Sequence, residues 1–514
     1  MIDSSSVRRY RNLHHREGAG WIGGLTTAQA VWIVGACVPV IVAIAGNHWT
    51  AALGWLAAAA VITVLVTVPV LGRPAVRWLA DLIMFGTGVM MGWSPWQSRA
   101  AAGRVDDPSV PDLPGVLSRL AFHDGPRLYE TRLCLIQDSV DARWSVTGRL
   151  THSGVAMASP GECEQLASRF GAMLLGLRGR EVIDRISLLV RTVPDDGTDY
   201  RLWRATHEVA DAPVLTRQIT DEIDRDVAAV SVRTELFVTV SGTEAALRRP
   251  AKTAGGGVAG RAYALYRVLD GVADGLRAVG ATDVTWLTSA AVAETIRTGF
   301  NPAAAAHLRH QHLTRPDRDG DGSGGGGGGL AWSQAGPAFA PAPAARHYAH
   351  DGFVSVTYAV GPPVGGTTFG SLAPLLAVRT AGERRALQIH YEVLDRGEAR
   401  RHVTRTRFRD TVVADFKASR GFRSSAEDEH RRAGGHDHEH AVAAGHGLVR
   451  YTIAAATTVP AEWNIEDAAA GLENAATDHF SLMRIELAQD AAFAAAVLPV
   501  GYGLPGLPQR RWHR

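Results

Sequence analysis

Hydrophobic positions are distributed unevenly along the chain. No Asp, Glu, Lys or Arg occurs in the 55 residues from Gly18 to Gly72. Within that stretch, Leu25–Ala45 and Ala51–Leu71 are each about 21 mostly apolar residues, enough at about 1.5 Å per residue to cross a hydrocarbon core of about 30 Å. Gly46-Asn47-His48-Trp49-Thr50 supplies turn residues and an interfacial aromatic, so the pattern predicts a transmembrane helical hairpin over 25–72. Pro39 and Pro69 are compatible with it, because a neighbouring helix can satisfy the carbonyls they leave free. A cleavable signal peptide fits less well, since the first span is long and a second follows at once. The stretch Trp78–Trp96 is apolar again, but Asp81, its glycines and Pro95 predict an interfacial or re-entrant helix, with a third full span as the alternative.

From Asp106 onward, short strand patterns alternate with amphipathic helices. Glu130–Gln137 and Arg143–Leu150 read as a hairpin turning at Asp138–Asp141. Ser159-Pro160-Gly161-Glu162 reads as the N-terminus of a helix running to about Leu177. Strands at Val182–Val193, Val232–Ser241 and Asp283–Thr288 then alternate with helices at Thr216–Val227, Arg261–Val279 and Ser289–Gly299. The order ββαβαβαβα predicts an open mixed α/β sheet with parallel neighbours and crossover helices.

The Gly-, Ala- and Pro-rich stretch 311–345 includes six consecutive glycines, Gly324–Gly329, and predicts a flexible linker. Strand patterns resume at Phe353–Val360, Arg385–Leu394 and Leu448–Thr458, with an Arg-rich helix expected at Glu398–Arg420. A helix near Ala461–Ala476, a strand at Phe480–Leu487 and a helix at Asp490–Val497 follow. The expected organisation is therefore a tail (1–24), the hairpin (25–72), an interfacial segment and linker (73–105), and a first α/β unit (106–310). The flexible segment (311–345), a second α/β unit (346–507) and a basic tail (508–514) complete it.

With 514 residues the chain has room for two to four domains, and 46% hydrophobic against 20% charged residues excludes a wholly disordered protein. A net charge of +2 gives no global attraction to nucleic acid, and no direct nucleic-acid binding is expected. Only Lys252 and Lys417 among 53 basic residues are lysine, the bias of a GC-rich genome, so arginine abundance alone carries no function. The three cysteines, Cys37, Cys134 and Cys163, are too scattered for a disulfide framework or thiolate metal site. Arg8, Arg9, Arg11 and Arg16 precede the uncharged stretch and Arg73 and Arg77 follow it, which predicts a multi-pass protein of the plasma (inner) membrane with both termini cytoplasmic.

Four motifs invite chemistry. Gly255–Ala262 resembles a phosphate loop opening a helix after a strand, but Arg261 stands where a lysine would reach the terminal phosphates and Ala262 cannot ligate magnesium. Asp317, Asp319, Asp321 and Gly322 begin like a calcium loop, yet Gly328 falls where the bidentate carboxylate belongs. His430, His436, His438, His440 and His446 lie in a polar segment that could chelate a transition metal adventitiously. Arg384, Arg385, Arg396, Arg400, Arg401, Arg405, Arg407 and Arg409 form the one dense basic patch. Glu383, Glu392, Asp395, Glu398 and Asp410 interleave with it, so a solvated face laced with ion pairs is expected there. No catalytic, cofactor-binding or metal-binding residue is assigned, and no cofactor is expected.

Taken together, the charged amino terminus before an apolar hairpin, Arg261-Ala262-Tyr263 through Asn301-Pro302-Ala303-Ala304-Ala305, and Gln489-Asp490-Ala491-Ala492-Phe493 through Leu498-Pro499 carry a resemblance. The chain resembles membrane proteins of actinobacterial integrative conjugative elements, found beside type IV secretion-like ATPases. That family looks like a PrgI-type membrane hairpin joined to the non-catalytic amino-terminal α/β region of the conjugation ATPase, with the motor on another chain. The resemblance implies a non-enzymatic scaffold with the conjugation ATPase, other secretion subunits, membrane lipid and further copies of itself as partners. The hexaglycine and His-rich segments depart from the family pattern. A type VII secretion component of similar two-helix topology, and a membrane-anchored metal enzyme using the histidine segment, are the alternatives.

Overall fold

A computed structural model describes residues 27–503, except 68, 71–72, 93–94, 106, 129, 156–157, 179–181, 195–203, 205, 210, 229–231, 315–328, 362, 364–366, 381, 396, 400, 402–439, 441–446 and 477–479. The described residues divide into two compact units: one comprises those of 95–395 and 447–503, the other those of 27–94 and 396–446.

In the second of these units, α1 (Thr27–Ala45) and α2 (Trp49–Thr67) form a helical hairpin, followed by α3 (Ala75–Met90). Its turn is made by Asn47, in the left-handed region at φ 59°, whose Oδ1 accepts from Trp49 Nε1 at 2.9 Å. Gln29 Nε2 donates to the Val66 carbonyl at 2.6 Å, tying the open end. Ala52, Ala59 and Val66 recur every seven residues and are buried, as are Val40 and Ala43 on α1. Small side chains along such a seam let two backbones approach closely. Away from it Trp32, Val34, Ile41, Leu53 and Trp55 are exposed. Among the described residues, Trp49–Thr67 is the helix long and apolar enough to cross a membrane, while Val31–Ala45 and Trp78–Met90 are shorter apolar helices.

The other unit is built on one sheet. Its strands are β1 (Leu120–Leu128), β2 (Thr131–Asp138), β3 (Arg143–His152), β4 (Arg185–Pro194), β5 (Val232–Thr243), β6 (Ala281–Trp286), β7 (Tyr348–His350), β8 (Phe353–Val360), β9 (Arg384–Val393), β10 (Val449–Pro460) and β11 (Leu482–Arg484). The order is β7-β8-β10-β9-β4-β5-β3-β2-β1, with β11 also on β8 and β6 also on β3. The helices are α4 (Pro160–Arg178), α5 (Val214–Ala228), α6 (Glu244–Thr253), α7 (Gly257–Ala278), α8 (Ser289–Phe300), α9 (Ala304–Thr314), α10 (Ile465–Ala476) and α11 (Gln489–Val497).

Several of these elements start where local chemistry dictates. Asp138 Oδ1 accepts from the Val140 and Asp141 amides at 3.0 Å, turning the β2–β3 hairpin. At the start of α4, Glu162 accepts from Ser159 N at 2.7 Å while Ser159 Oγ accepts from Glu162 N at 3.3 Å, a reciprocal capping box. These hydrogen bonds hold the Glu162 carboxyl below its usual range. Thr243 caps α6 and Thr288 caps α8 through their hydroxyls.

Three corrections follow. The flexible linker expected over 311–345 is structured at both ends: α9 runs to Thr314, a 3-10 turn spans Trp332–Gln334, and Ser333, Ala335 and Ala340 are buried, while 315–328 lie outside the described residues. The expected parallel neighbours are absent among the described residues, where every strand pairing is antiparallel. The crossovers exist, but each has a strand inserted within it. β3 and β4, joined through α4, are separated by β5, and β5 and β6, joined through α7, by β3. That is the split βαβ, or ferredoxin-like, arrangement. The two α/β units expected over 106–310 and 346–507 also share this one sheet, because β9 pairs with β4 from Ala386↔Arg191 to Glu392↔Arg185.

The same motif occurs twice. In chain order, strands β3, β4, β5, β6 take the spatial order β4-β5-β3-β6, and β8, β9, β10, β11 take β9-β10-β8-β11. Each copy begins with a hairpin partner, β2 or β7, and ends in a helix, α8 or α11. Ser145 opposite Ser241 in the first copy matches Ser355 opposite Thr458 in the second. The copies join through their equivalent strands β4 and β9.

Three apolar layers hold this sheet. α4 and α7 cover one face of the first copy through Leu174, Leu265, Leu269 and Val272 against Val146, Ile186 and Val240. α10 packs on the second copy through Leu472 and Ala469 against Val356 and Leu387. The remaining layer spans both copies: Ile296 and Phe300 of α8 meet Phe493 and Val497 of α11 over Leu189, Phe237 and Ala456.

Candidate functional site

The glycine-rich segment at 255–262 follows helix α6, not a strand as expected. Gly255, Gly256 and Gly257 have φ of 98°, 75° and 64°, a run that non-glycine residues rarely adopt. Gly260 lies where a Cβ would come within 2.4 Å of the Ala251 carbonyl, so it permits the close approach of α6 and α7. Arg261 turns back onto Glu244, its Nε donating to the carboxylate at 2.8 and 3.1 Å. Its guanidinium lies 5.3 Å from the Trp144 ring centroid, and Trp144 Nε1 donates to Glu244 at 2.6 Å. The Arg261 hydrogen bonds hold the Glu244 carboxyl below its usual range, and those from Glu244 push Arg261 up. These glycines and this arginine are thus engaged in packing α6, α7 and β3.

The basic patch is split by the sheet. Arg384 and Arg385 are adjacent on β9 and each only 1% exposed. Arg384 donates to the last carbonyls of α8, Thr298 O at 2.8 Å and Gly299 O at 2.6 Å, so a cation satisfies a helix C-terminus. Burial, then repulsion from Arg191, pushes it down to about 9. Arg385 pairs with Glu383 at 2.5 Å, and Thr457 Oγ1 donates to the same carboxylate at 3.0 Å. A solvated face is therefore the wrong description of these two residues. Arg401 donates to the Gly397 carbonyl at 3.2 Å, while Arg396, Arg400, Arg405, Arg407 and Arg409 lie outside the described residues. The calcium-like segment from Asp317, and the histidines other than His440, lie outside them too.

The sheet face beneath α8 and α11 gathers polar groups that the sequence reading did not single out. Ser187 Oγ is 2.7 Å from His390 Nδ1, and His390 Nε2 is 3.2 Å from the Ala495 carbonyl. A carbonyl cannot donate, so Nε2 carries the proton and Nδ1 accepts from Ser187. Burial pushes His390 down to about 4, keeping the ring neutral. Thr147 and Thr239 donate to the Pro499 carbonyl at 2.7 and 3.0 Å. Arg191 donates to Glu235 at 2.6 Å and to Thr298 Oγ1 at 2.8 Å, and His350 Nδ1 donates to the Phe300 carbonyl at 2.6 Å.

A serine with a histidine base has the pieces of a nucleophile. Here both are buried, the imidazole's outer nitrogen is held by Ala495, and Gly503 passes so close that a Cβ would lie 2.5 Å from it. The polar set anchors the carboxyl ends of α8 and α11 to the sheet. Its signal in the sequence is the alternation Arg143-x-Ser145-x-Thr147, repeated as Arg185-x-Ser187, which places polar side chains on one face of buried strands. Among the described residues no group of three or more His, Cys, Asp or Glu side chains is placed to hold a metal ion.

No protein-family model matches the chain, and no curated protein matches it.

Proposed function

We propose that the chain is a non-catalytic plasma-membrane scaffold of a type IV secretion-like conjugation apparatus, and that it docks a separate ATPase. Both apolar helices of the hairpin cross the membrane in this reading, and both termini are cytoplasmic. The observation that carries it is the hairpin itself: a small-residue seam inside and large apolar side chains outside, ahead of a large α/β body. A pair of helices with that distribution suits lipid on its outer surface. The commitment of Arg261 to Glu244 and Trp144 supports placing the nucleotide motor on another chain.

Affinity purification from detergent-solubilised membranes tests the reading. The expected result is co-purification of a conjugation-type ATPase, no ATP turnover by this chain alone, and release of the body with that partner when the chain is truncated before Asp106. Magnesium-dependent hydrolysis by the purified chain, abolished by Arg261→Ala, would overturn it. For the topology, single cysteines placed at Asp3, Asn47 and Thr151 in a background lacking the native cysteines should react with an impermeant reagent in whole cells only at position 47.

A further inference from the structure

Ahead of the sheet's first strand, residues 96–112 are laid on the α/β unit and held by the segment that joins its two copies. At one end, Trp96–Gln97 pairs antiparallel with Phe339–Ala340, and Ser98 N donates to the Ala338 carbonyl at 3.0 Å. At the other, Ser333 N donates to the Pro108 carbonyl at 3.1 Å, and Gly336 passes so close that a Cβ would lie 2.5 Å from the Asp112 carbonyl. The receiving segment, 332–340, is itself fixed. Trp332 packs on Phe122 with ring centroids 4.1 Å apart, and Arg297 of α8 donates to the Gly336 carbonyl at 2.7 Å. Asp351 grips Phe339 twice, its N donating to the Phe339 carbonyl at 3.0 Å and its Oδ1 accepting from the Phe339 amide at 3.1 Å.

What is held is held lightly. The strand pairing amounts to two residue pairs, and every described residue from Ala101 to Val110 is exposed. Trp96 Nε1 is buried with no hydrogen-bond partner among the described residues, a cost that release would remove. Burial resumes at Leu113 and Leu117, 3% and 2% exposed, which belong to the apolar layer under α8 and α11. A segment with few apolar contacts and an exposed backbone opens at less cost than the core around it. We propose that 96–112 is a strap that unclips as a unit from 332–340 and hinges at Leu113, lengthening the connection between α3 and the sheet while the sheet stays folded. Unclipped and extended, the strap spans up to about 60 Å at about 3.3–3.6 Å per residue. The device does not rest on the secretion-scaffold reading, because it concerns this chain alone.

Hydrogen exchange of the full detergent-solubilised chain tests it. In the wild type the Ser98 amide should exchange at least a hundredfold faster than the central amides of β4 and β9. Gln97 and Phe339 face each other, and Asp351 takes both backbone groups of Phe339, so they form a non-hydrogen-bonded pair. Cα atoms of such a pair lie about 4.5 Å apart, a spacing that a disulfide can bridge. With the native cysteines replaced, the oxidised Gln97→Cys/Phe339→Cys pair should slow Ser98 exchange at least tenfold, and reduction should restore it. Ser98→Pro, which removes the donor to Ala338, should leave β4 and β9 as protected as in the wild type. It should also lengthen and broaden the distance distribution between spin labels at Thr87 of α3 and Asp274 of α7, which the oxidised pair should narrow. Three results would overturn the proposal: Ser98 exchange as slow as that of the central strands, exchange unaffected by the disulfide, or loss of protection in β4 and β9 on Ser98→Pro, which would make the strap part of the core. A distance distribution unchanged by Ser98→Pro would do so as well.

Discussion

His390 and His350 are neutral side chains used as fixed hydrogen-bonding links, each closing a strand onto the end of a helix. Burial depresses both, His390 to about 4 and His350 to about 3, from an ordinary value of 6.5. The unfolded chain therefore binds protons at a higher pH than the folded one. The stability these groups contribute is present above pH 6.5 and is lost as pH falls toward 4, at about 1.4 kcal/mol per pH unit for each group. His390→Gln keeps an amide that can reach the Ala495 carbonyl but removes the titration. Chemical denaturation of the solubilised protein at pH 7 and pH 5 should show the wild type losing about 2 kcal/mol more than His390→Gln. Equal losses would mean that the imidazole is not buried neutral.

Among the elements, helices and strands were legible in the sequence far better than their arrangement. Phe353–Val360 is a strand over the expected residues, and the helix expected at Ser289–Gly299 runs from Ser289 to Phe300. Capping residues and turn residues act locally, so Ser159, Glu162 and Asp138 announce their roles in order along the chain. What a strand pairs with is decided by residues far away, and alternating strands and helices describe a parallel crossover and a split one equally well. The short helix α6 went unread before the glycines of 255–257, because Pro250 lies inside it. That omission made the segment look like a loop following a strand. The proposed packing role of its glycines is testable. Gly260→Ala should destabilise the protein by about 1–3 kcal/mol, since the new methyl would press on the Ala251 carbonyl. Unchanged thermal melting of this variant would remove the packing explanation for that glycine.

At the scale of the whole α/β unit, the doubled motif changes what the glycine-rich segment between the copies means. Separate units would be held together by that tether. Here the copies are held by β4 against β9, by Phe300 against Phe493 with ring centroids 5.2 Å apart, and by Arg384 of the second copy on the α8 carbonyls of the first. The apolar layer under α8 and α11 draws residues from both, so neither copy completes its core alone. Two consequences follow from the same contacts. Shortening Ser323–Gly329 should leave thermal melting nearly unchanged, because loop-closure cost varies by only about 0.6 kcal/mol per doubling of length. Cutting the chain there should also leave it whole: a protease site introduced at Gly326, cleaved in the solubilised protein, should give two fragments that co-elute as one particle. Arg384→Ala leaves the Thr298 and Gly299 carbonyls without their donor, at a cost of about 2–4 kcal/mol. In that background the cleaved fragments should separate at lower denaturant than the cleaved wild type. Fragments that part on cleavage alone, each keeping its secondary structure, would show that the two copies are independent domains joined by a linker.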